Sequence, residues 1–566
     1  MDKKMTSIDH IDFSPKPGKE YWVNCHREWR EEFIYFLLVD RFHDSTKRNS
    51  LNFKNRHPGF GDKEQLERTF GGTIMGVIDN LDYIKNLGCT AIWLSPVFEN
   101  NPESYHGYSI QNYLDVDSRW GTKDELEDLV DRAHKLDMRV FLDVVLHHSG
   151  DNWSYPYDYD YYYFNGLQFP FGEWREKDKP LPIELKDPDV YNRKGQIVNF
   201  DVYPETREGD FFTLKTFRND GSPASKRIQE ILVAIHCYWI RELDVDGFRL
   251  DAVKHMHGPA ISKFCSLIRE YAHSLGKRNF FLFGEIIGND EMGNPYIGPK
   301  ILRSSYDQNV YYGLDSVLDH PLHSVLADVM KGTSSPSKLI ERYDALQRNA
   351  LNRGEYGDFL VTYIDDHDQV GMDYKQRFGH QTAPEQIVAG MGFLLCALGT
   401  PCMYYGTEQG FTGNGPDDRY IREGMFDPGD KSSNVLNQES WIYSQISVLA
   451  HLRQKERALK FGRMYFRQTS TNGIDFHYPD CAECLLAFSR ILFKDELTVV
   501  YNSSPTNTKE EYVLIDNMIN AKGKYMKYLF GRKGRVKIRG HAPSNDGPLF
   551  FKVTLKPMEF LILKNY

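Results

Sequence analysis

The sequence alternates short apolar runs with stretches of helical periodicity, and this alternation constrains the fold more than any other feature. FIYFLLVDRF (33–42) opens as a continuous apolar run, as a parallel strand buried on both faces must. Ile74, Val77, Ile78 and Leu81 then recur at helical spacing, and TAIWLSPV (90–97) is a second strand. Thr122 and Glu125 form a capping box ahead of Leu126, Leu129, Val130 and Ala133, and MRVFLDVVLHH (138–148) is a third strand. Ser222 and Pro223 give an N-cap and a first-turn proline to a helix with Ile228, Ile231, Leu232, Ile235 and Trp239 on one face. GFRLD (247–251) follows as the fourth strand. A helix with Ile261, Phe264, Ile268 and Leu275 ends at Gly276, before FFLFGEI (280–286). LDSVLDH (314–320), FLVTYIDDHD (359–368) and TPCMYYG (400–406) complete eight strands. Successive βαβ units with right-handed crossovers predict an α/β fold, a closed (β/α)8 TIM barrel.

A βα loop normally takes ~2–6 residues. The third strand and its helix are instead separated by the segment 149–221, which is expected to be a subdomain inserted on the C-terminal face of the barrel. Beyond residue 460 the pattern changes to short alternating runs such as CLLAFSR, LTVVYN and FLILKNY, with turn-like NSSP, GRKG and PSNDGP between them. That pattern predicts a C-terminal antiparallel β-domain, a sandwich. The expected division is barrel 1–148, insert 149–221, barrel 222–459 and β-domain 460–566.

A net charge of −10 without a long basic run argues against nucleic acid as a partner. No run of ~18 apolar residues is present, so no membrane span is expected. The first residues contain no apolar signal-like segment, which points to a cytoplasmic protein. Most of the eight cysteines lie in apolar contexts and read as small buried hydrophobes in a reducing compartment. Cys481 and Cys484 form a lone C-x-x-C without the second pair a zinc site needs, so a structural or incidental role is expected.

Catalytic residues of a barrel lie at the C-terminal ends of its strands. Here those ends carry Asp143, His147 and His148, then Arg249 and Asp251, then Glu285, then Asp365, Asp366, His367 and Asp368. So many carboxylates in one mouth have no structural purpose, because like charges at close range raise one another's pKa. Carboxylates with histidines and no thiol fit either a hard-metal site or glycoside hydrolysis by an ionised nucleophile and a protonated acid. Arg249 and Asp251 share a strand face, so the cation is expected to depress the Asp251 pKa and favour a nucleophile. Glu285 sits in apolar FLFGEII with no cation adjacent in sequence, so burial is expected to raise its pKa and favour an acid.

GFRLDAVKH, FLFGEIIG, YIDDHD and DVVLHH resemble the strand motifs of the α-amylase superfamily, glycoside hydrolase family 13. YHGYSIQNYLDVDSRWGT, LPIELKDPDVYN and GTPCMYYGTEQGF add to the resemblance, which covers about residues 30 to 460. The resemblance implies Asp251 as nucleophile, Glu285 as acid/base and Asp368 as the carboxylate that binds hydroxyls of the reacting sugar. It implies His106, Tyr108, His148 and His367 around that sugar, with Arg249 holding Asp251 ionised. Lys254 and His255 would contact sugars on the leaving-group side, and Asp418 and Arg422 a sugar beyond the reacting one. Small Ala252 after the nucleophile, with Lys254-His255 following, resembles members acting on α-1,4 rather than α-1,6 bonds. The implied activity is retaining hydrolysis of maltooligosaccharides or starch-like α-glucans. Transglycosylation, a sucrose- or trehalose-directed activity and a non-catalytic sugar-binding scaffold are the alternatives.

No cofactor is implied in the chemical step. Many members of the family bind structural calcium through an Asn where this chain has His147, and imidazole is a poor ligand for that ion. In a second calcium loop of the family, DRFHDSTKRNS here, Lys47 and Arg48 work against a dication. No metal is expected in the catalytic step, and an empty calcium site is expected between barrel and insert, with a structural calcium as the alternative. The tyrosine-rich run 155–164 is expected to form the insert's own core, with a platform for sugar rings as the alternative.

Overall fold

The structure is a computed structural model. It describes all residues except 1–3, 20, 55, 163–166, 298–312, 349, 352–353, 370–371, 373 and 542–546. Eight parallel strands close a barrel: β1 (Ile34–Leu37), β2 (Ala91–Leu94), β3 (Arg139–Val144), β4 (Gly247–Leu250), β5 (Phe281–Gly284), β6 (Ser316–Leu318), β7 (Leu360–Thr362) and β8 (Thr400–Tyr404). They pair in sequence order around the ring, with β8 returning to β1. Every strand is buried along its whole length, which explains why each reads as an apolar run rather than as an alternation.

The helix starts follow local chemistry. Thr122 accepts a hydrogen bond from the Glu125 amide while Glu125 reaches back, opening the helix Lys123–Lys135. Leu126, Leu129, Val130 and Ala133 of this helix are buried. Ser222 caps Pro223–Leu243, whose Ile228, Ile231, Leu232, Ile235 and Trp239 pack on the barrel.

The segment after β3 has little regular structure. Lys215–Thr216 pairs with His148–Ser149, and Glu173–Trp174 pairs with Trp153–Ser154, tying the insert to the mouth of the barrel. Its core is aromatic: Trp153, Tyr191 and Phe217 are fully buried. Tyr155 meets Trp153 edge-on and Tyr159 stacks on Phe169, so these two tyrosines pack as expected. Tyr157 and Tyr162 are exposed, and Tyr163 and Phe164 lie outside the described residues.

The C-terminal region is two antiparallel sheets. The strands used below are β9 (Arg463–Phe466), β10 (Leu485–Leu492), β11 (Asp495–Asn502), β12 (Lys509–Ile515), β13 (Tyr525–Phe530), β14 (Arg535–Lys537), β15 (Leu549–Leu555) and β16 (Phe560–Asn565). One sheet runs β9-β10-β11-β16-β13-β14; β12 and β15 form the centre of the other. Val500, Met526 and Leu561 of the first meet Val513, Phe551 and Val553 of the second in a separate core. The opposite face of the six-stranded sheet packs on the barrel helix Pro384–Cys396, where a Cβ on Gly392 would lie 2.8 Å from the Phe560 ring.

Cys25, Cys89, Cys237, Cys265, Cys396 and Cys402 are buried and unbridged, as their apolar contexts predict. Cys481 and Cys484 are joined by a disulfide across a surface turn. Among the described residues no helix is long and apolar enough to cross a membrane.

Candidate active site

Arg249 organises the mouth of the barrel. A Cβ at Gly247 would meet the Phe281 carbonyl at 2.2 Å, so glycine there lets β4 and β5 close tightly. The register sets Arg249 beside Asp143 on β3 and Phe283 on β5. Its Nη1 lies 3.0 Å from Asp143 Oδ1 and 2.6 Å from Asp251 Oδ1, and its Nη2 lies 2.9 Å from Glu285 Oε1. Asp143 is held further by Trp93 Nε1, at 3.1 Å, and by the Tyr108 hydroxyl, at 2.9 Å. The Ala252 amide donates to Glu285 Oε2 at 3.1 Å. Ala252 is in the left-handed region, at φ 51°, where a β-branched residue would be strained.

This geometry corrects two expectations. Glu285 does have a cation: Arg249 reaches it from the neighbouring strand, a lateral contact that adjacency in sequence cannot show. And Arg249 does not leave Asp251 below the usual carboxylate range. Burial raises Asp251, Arg249 opposes it, and Asp143 and Asp368 add repulsion, so its pKa stands at about 6. Burial, with repulsion from Asp251 and Asp368, raises Glu285 to about 7 against the same arginine. Burial raises both carboxyls and Arg249 opposes it in both, so the two titrate as a pair.

The β7 end carries a second charged group. Burial disfavours charge on both Asp368 and His367, yet each favours the charge on the other. His367 is pushed up to about 10 by Asp368 and Asp366. Asp368 is held well below the usual range by His367 and Arg422. His367 Nδ1 donates to Asp366 at 2.9 Å, and its Nε2 lies 2.9 Å from the Tyr108 hydroxyl and 3.1 Å from Asp368 Oδ2. Arg422 pairs with Asp368 and donates from Nε to the His367 carbonyl at 2.9 Å. Tyr108 stacks between His106 and His367. Burial keeps His106 and His148 neutral, at about 3 and about 4. Asp418 lies 3.8 Å from Arg422 and is pushed up to about 6 by burial and by Asp368.

Asp251, Glu285 and Asp368 open into one cavity of about 700 Å³, and His106, Tyr108, His148, Lys254, His255, Asp418 and Arg422 also line it. Arg249 and His367 stand directly behind that lining, in contact with Asp251 and Asp368. Lys254 is not free: it pairs with Asp201 of the insert. His255 Nδ1 donates to the Thr206 carbonyl at 2.6 Å. Sequence reasoning missed the apolar wall that the insert adds through Phe200, Phe211 and Phe212. Phe212 is 69% exposed and sits at φ 54°, which is costly for a bulky residue. No periodic pattern marks this segment, so nothing in the sequence pointed to it.

The donor sets of the two loops named above suit calcium poorly. The buried His147 ring lies against Phe211, His148 and His255, and burial with those neighbouring imidazoles keeps it neutral. In the loop DRFHDSTKRNS Arg48 pairs with Asp44 and donates to the carbonyls of Asp427 and Asp430, so a cationic side chain already occupies these oxygens. Among the described residues, the one metal-competent group of His, Cys, Asp or Glu is Asp480, Cys481 and Cys484, whose two thiols are bridged. Melting temperature and activity are therefore expected to be unchanged by EDTA. A drop of several degrees on chelation, reversed by calcium, would refute this.

A closed barrel with Asp251, Glu285, Asp368, Asp418 and Arg422 lining one cavity, and Arg249 and His367 directly behind them, defines a carboxylate-based barrel site. The chain belongs to the α-amylase family: the family model for the alpha amylase catalytic domain matches residues 36–442. A β/α-amylase from Paenibacillus polymyxa is 27% identical over 515 residues, which are 88% of this chain and 36% of that protein. A cyclomaltodextrin glucanotransferase from Klebsiella oxytoca is 27% identical over 472 residues, 77% of this chain and 66% of that protein. The chain thus spans between 36% and 66% of the length of these curated relatives. The crystal structure of an Anoxybacillus α-amylase matches with a TM-score of 0.69 and 25% identity, covering 95% of this chain and 99% of that one.

Proposed function

We propose that this protein is a retaining glycoside hydrolase that cleaves α-1,4 bonds in maltooligosaccharides and related α-glucans. The observation that carries the reading is the shared guanidinium: Asp251 and Glu285 each bind one terminal nitrogen of Arg249. Two carboxylates on one fork fit the ~5–5.5 Å separation of retaining enzymes better than the ~6.5–9.5 Å of inverting ones. Asp251, with the lower pKa, attacks the anomeric carbon and forms the glycosyl-enzyme. Glu285, with the higher pKa, protonates the leaving oxygen and then takes a proton from water. Asp368, ionised beside His367 and Arg422, binds hydroxyls of the reacting sugar, with His106, Tyr108 and His148 around the same ring. Asp418, next to Arg422 on the cavity lining, would contact a sugar beyond the reacting one. The six buried unbridged cysteines fit the cytoplasmic setting expected from the sequence, and the Cys481–Cys484 disulfide speaks against it.

Glycosyl transfer is the second reading, favoured by the apolar wall of Phe200, Phe211 and Phe212, which would hold a sugar acceptor and exclude water. One experiment tests both: incubate the protein with maltoheptaose and follow product length and anomeric configuration by NMR. Shorter products of retained configuration are expected. Products longer than the substrate would establish transfer, and inverted initial products would sink the two-carboxylate mechanism.

Linkage preference follows from the leaving-group side. Left-handed Ala252 leaves room beside Asp251, and Asp201 fixes Lys254 towards the cavity. Maltotriose is expected to be cleaved with a higher kcat/KM than isomaltotriose. Lys254→Ala is expected to cost ~1–2 kcal/mol of transition-state binding, as a hydrogen bond to a charged group does. Faster cleavage of isomaltotriose by the unmodified protein would overturn the linkage reading and leave the catalytic roles intact.

A further inference from the structure

The strongest feature outside the barrel is electrostatic. Residues 521–541 hold eight lysines and arginines and no carboxylate, in a chain whose net charge is −10. The cations do not form a continuous run because apolar residues and glycines separate them, a period that places alternate residues on one face of a strand. In register, Lys527 on β13 lies directly opposite Arg535 on β14 and, on its other side, opposite Lys564 on β16. Lys537 pairs with Tyr525 one step along the same face. Lys527, Arg535 and Lys537 are exposed.

Like charges directly opposite one another destabilise a sheet. Cations do protect edge strands from pairing with other chains, which accounts for Arg535 and Lys537 on the edge strand β14. It does not account for Lys527, which sits on an interior strand between two cationic neighbours. Lys564 is neutralised by Glu456 at 2.8 Å and Asp495 at 2.9 Å. Among the described residues, Lys527, Arg535 and Lys537 have no carboxylate at ion-pair distance; Arg535 rests on the Tyr525 ring at 3.9 Å. Two strongly exposed aromatic rings lie at the same end of the sheet. Tyr566, 81% exposed, is joined through its amide to Tyr525, and Phe493, 85% exposed, is next to Lys494, whose carbonyl accepts from Asn565.

We infer that the exposed end of this sheet, where the barrel-facing side runs past the barrel, binds α-glucan chains that carry phosphate monoesters. Neighbouring strands lie ~4.8 Å apart, so the opposed side chains leave the sheet close together and their flexible stems let two cationic heads converge on one phosphate dianion. The exposed Tyr566 and Phe493 rings at this end of the sheet offer stacking surface for sugar rings. A phosphorylated α-glucan meets both demands and is a polymer the barrel would cleave, so the choice of glucan rests on the proposed hydrolase reading. Binding here would raise the local concentration of chain ends for the distant cleft.

The test is co-sedimentation of the full-length protein with a phosphorylated starch and with the same starch after phosphatase treatment. The phosphorylated form is expected to bind about tenfold tighter at low ionic strength, with the difference largely lost in high salt. K527E/R535E is expected to abolish the preference and leave maltoheptaose cleavage unchanged; it keeps a like-charge pair across β13 and β14 but sets a carboxylate at position 527 opposite Lys564, whereas K527Q/R535Q removes the like-charge pair and is expected not to lower the melting temperature. K527Q/R535Q provides the same comparison without charge reversal. Equal binding of the two starches, a preference that survives both variants, or tighter binding to RNA or to anionic phospholipid vesicles would overturn the inference. A phosphate preference in a protein that leaves maltoheptaose intact would refute the hydrolase reading and leave this site standing.

Discussion

Asp251→Asn is expected to lower kcat on maltoheptaose by ~10⁴-fold or more, the scale seen when a covalent nucleophile is removed. The fold should survive, since Asn is isosteric and Arg249 keeps Asp143 and Glu285 as partners. Glu285→Gln should behave differently, and the difference identifies the roles. A general acid contributes ~10²–10⁴-fold, and only where the leaving group needs a proton. With an aryl maltooligoside, whose phenolate leaves unaided, Glu285→Gln should retain the first step and accumulate the glycosyl-enzyme, detectable as a mass increase on the intact protein. Asp251→Asn should form no adduct with either substrate. An adduct on the Asp251→Asn protein, or equal losses in Glu285→Gln on both substrates, would reverse or void the assignment.

Those two residues could be picked out because the features that place them are local. Strand ends follow from continuous apolar runs, and helix starts follow from Thr122 with Glu125 and from Ser222 with Pro223, which cap as their chemistry demands. The eight strands therefore lie where the hydrophobic pattern puts them. What the pattern could not carry is lateral contact. Arg249 touches Glu285 because β4 and β5 are neighbours in one register, and no adjacency in the sequence encodes that. Lys254 meets Asp201 across a segment without regular periodicity. The opposed cations at Lys527, Arg535 and Lys564 become a feature only once three strands are aligned. The pKa of Asp251 was misjudged for a related reason: the sequence shows the nearby cation but not the burial, or the further carboxylates at Asp143 and Asp368, that outweigh it.

Arg249→Leu is expected to be the most informative single change, because it removes one cation from three buried carboxylates at once. Asp143, Asp251 and Glu285 are all raised by burial, and in all three Arg249 is the main opposing influence. Without it their folded-state pKa values should climb further above those of the unfolded chain. A carboxyl raised in this way contributes stability that is fully present below its unfolded pKa and is lost as pH rises through the folded value. The melting-temperature gap between variant and parent should therefore be small near pH 4 and should widen up to and beyond pH 7. Its ceiling is the ~3–5 kcal/mol typical of breaking a buried pair, reduced by proton uptake. Activity should respond in the same sense. For the parent, kcat/KM should rise as Asp251 ionises near about 6 and fall as Glu285 deprotonates near about 7. In Arg249→Leu the acid limb should move to higher pH, and turnover at neutral pH should fall by ~10²-fold or more as Asp251 becomes protonated. Arg249→Lys should recover stability more than rate, since a point charge cannot hold two carboxylates in the orientation of a planar fork. Near-normal turnover of Arg249→Leu at neutral pH, or a melting-temperature gap that does not change with pH, would show that the guanidinium does not set the charge state of this pair.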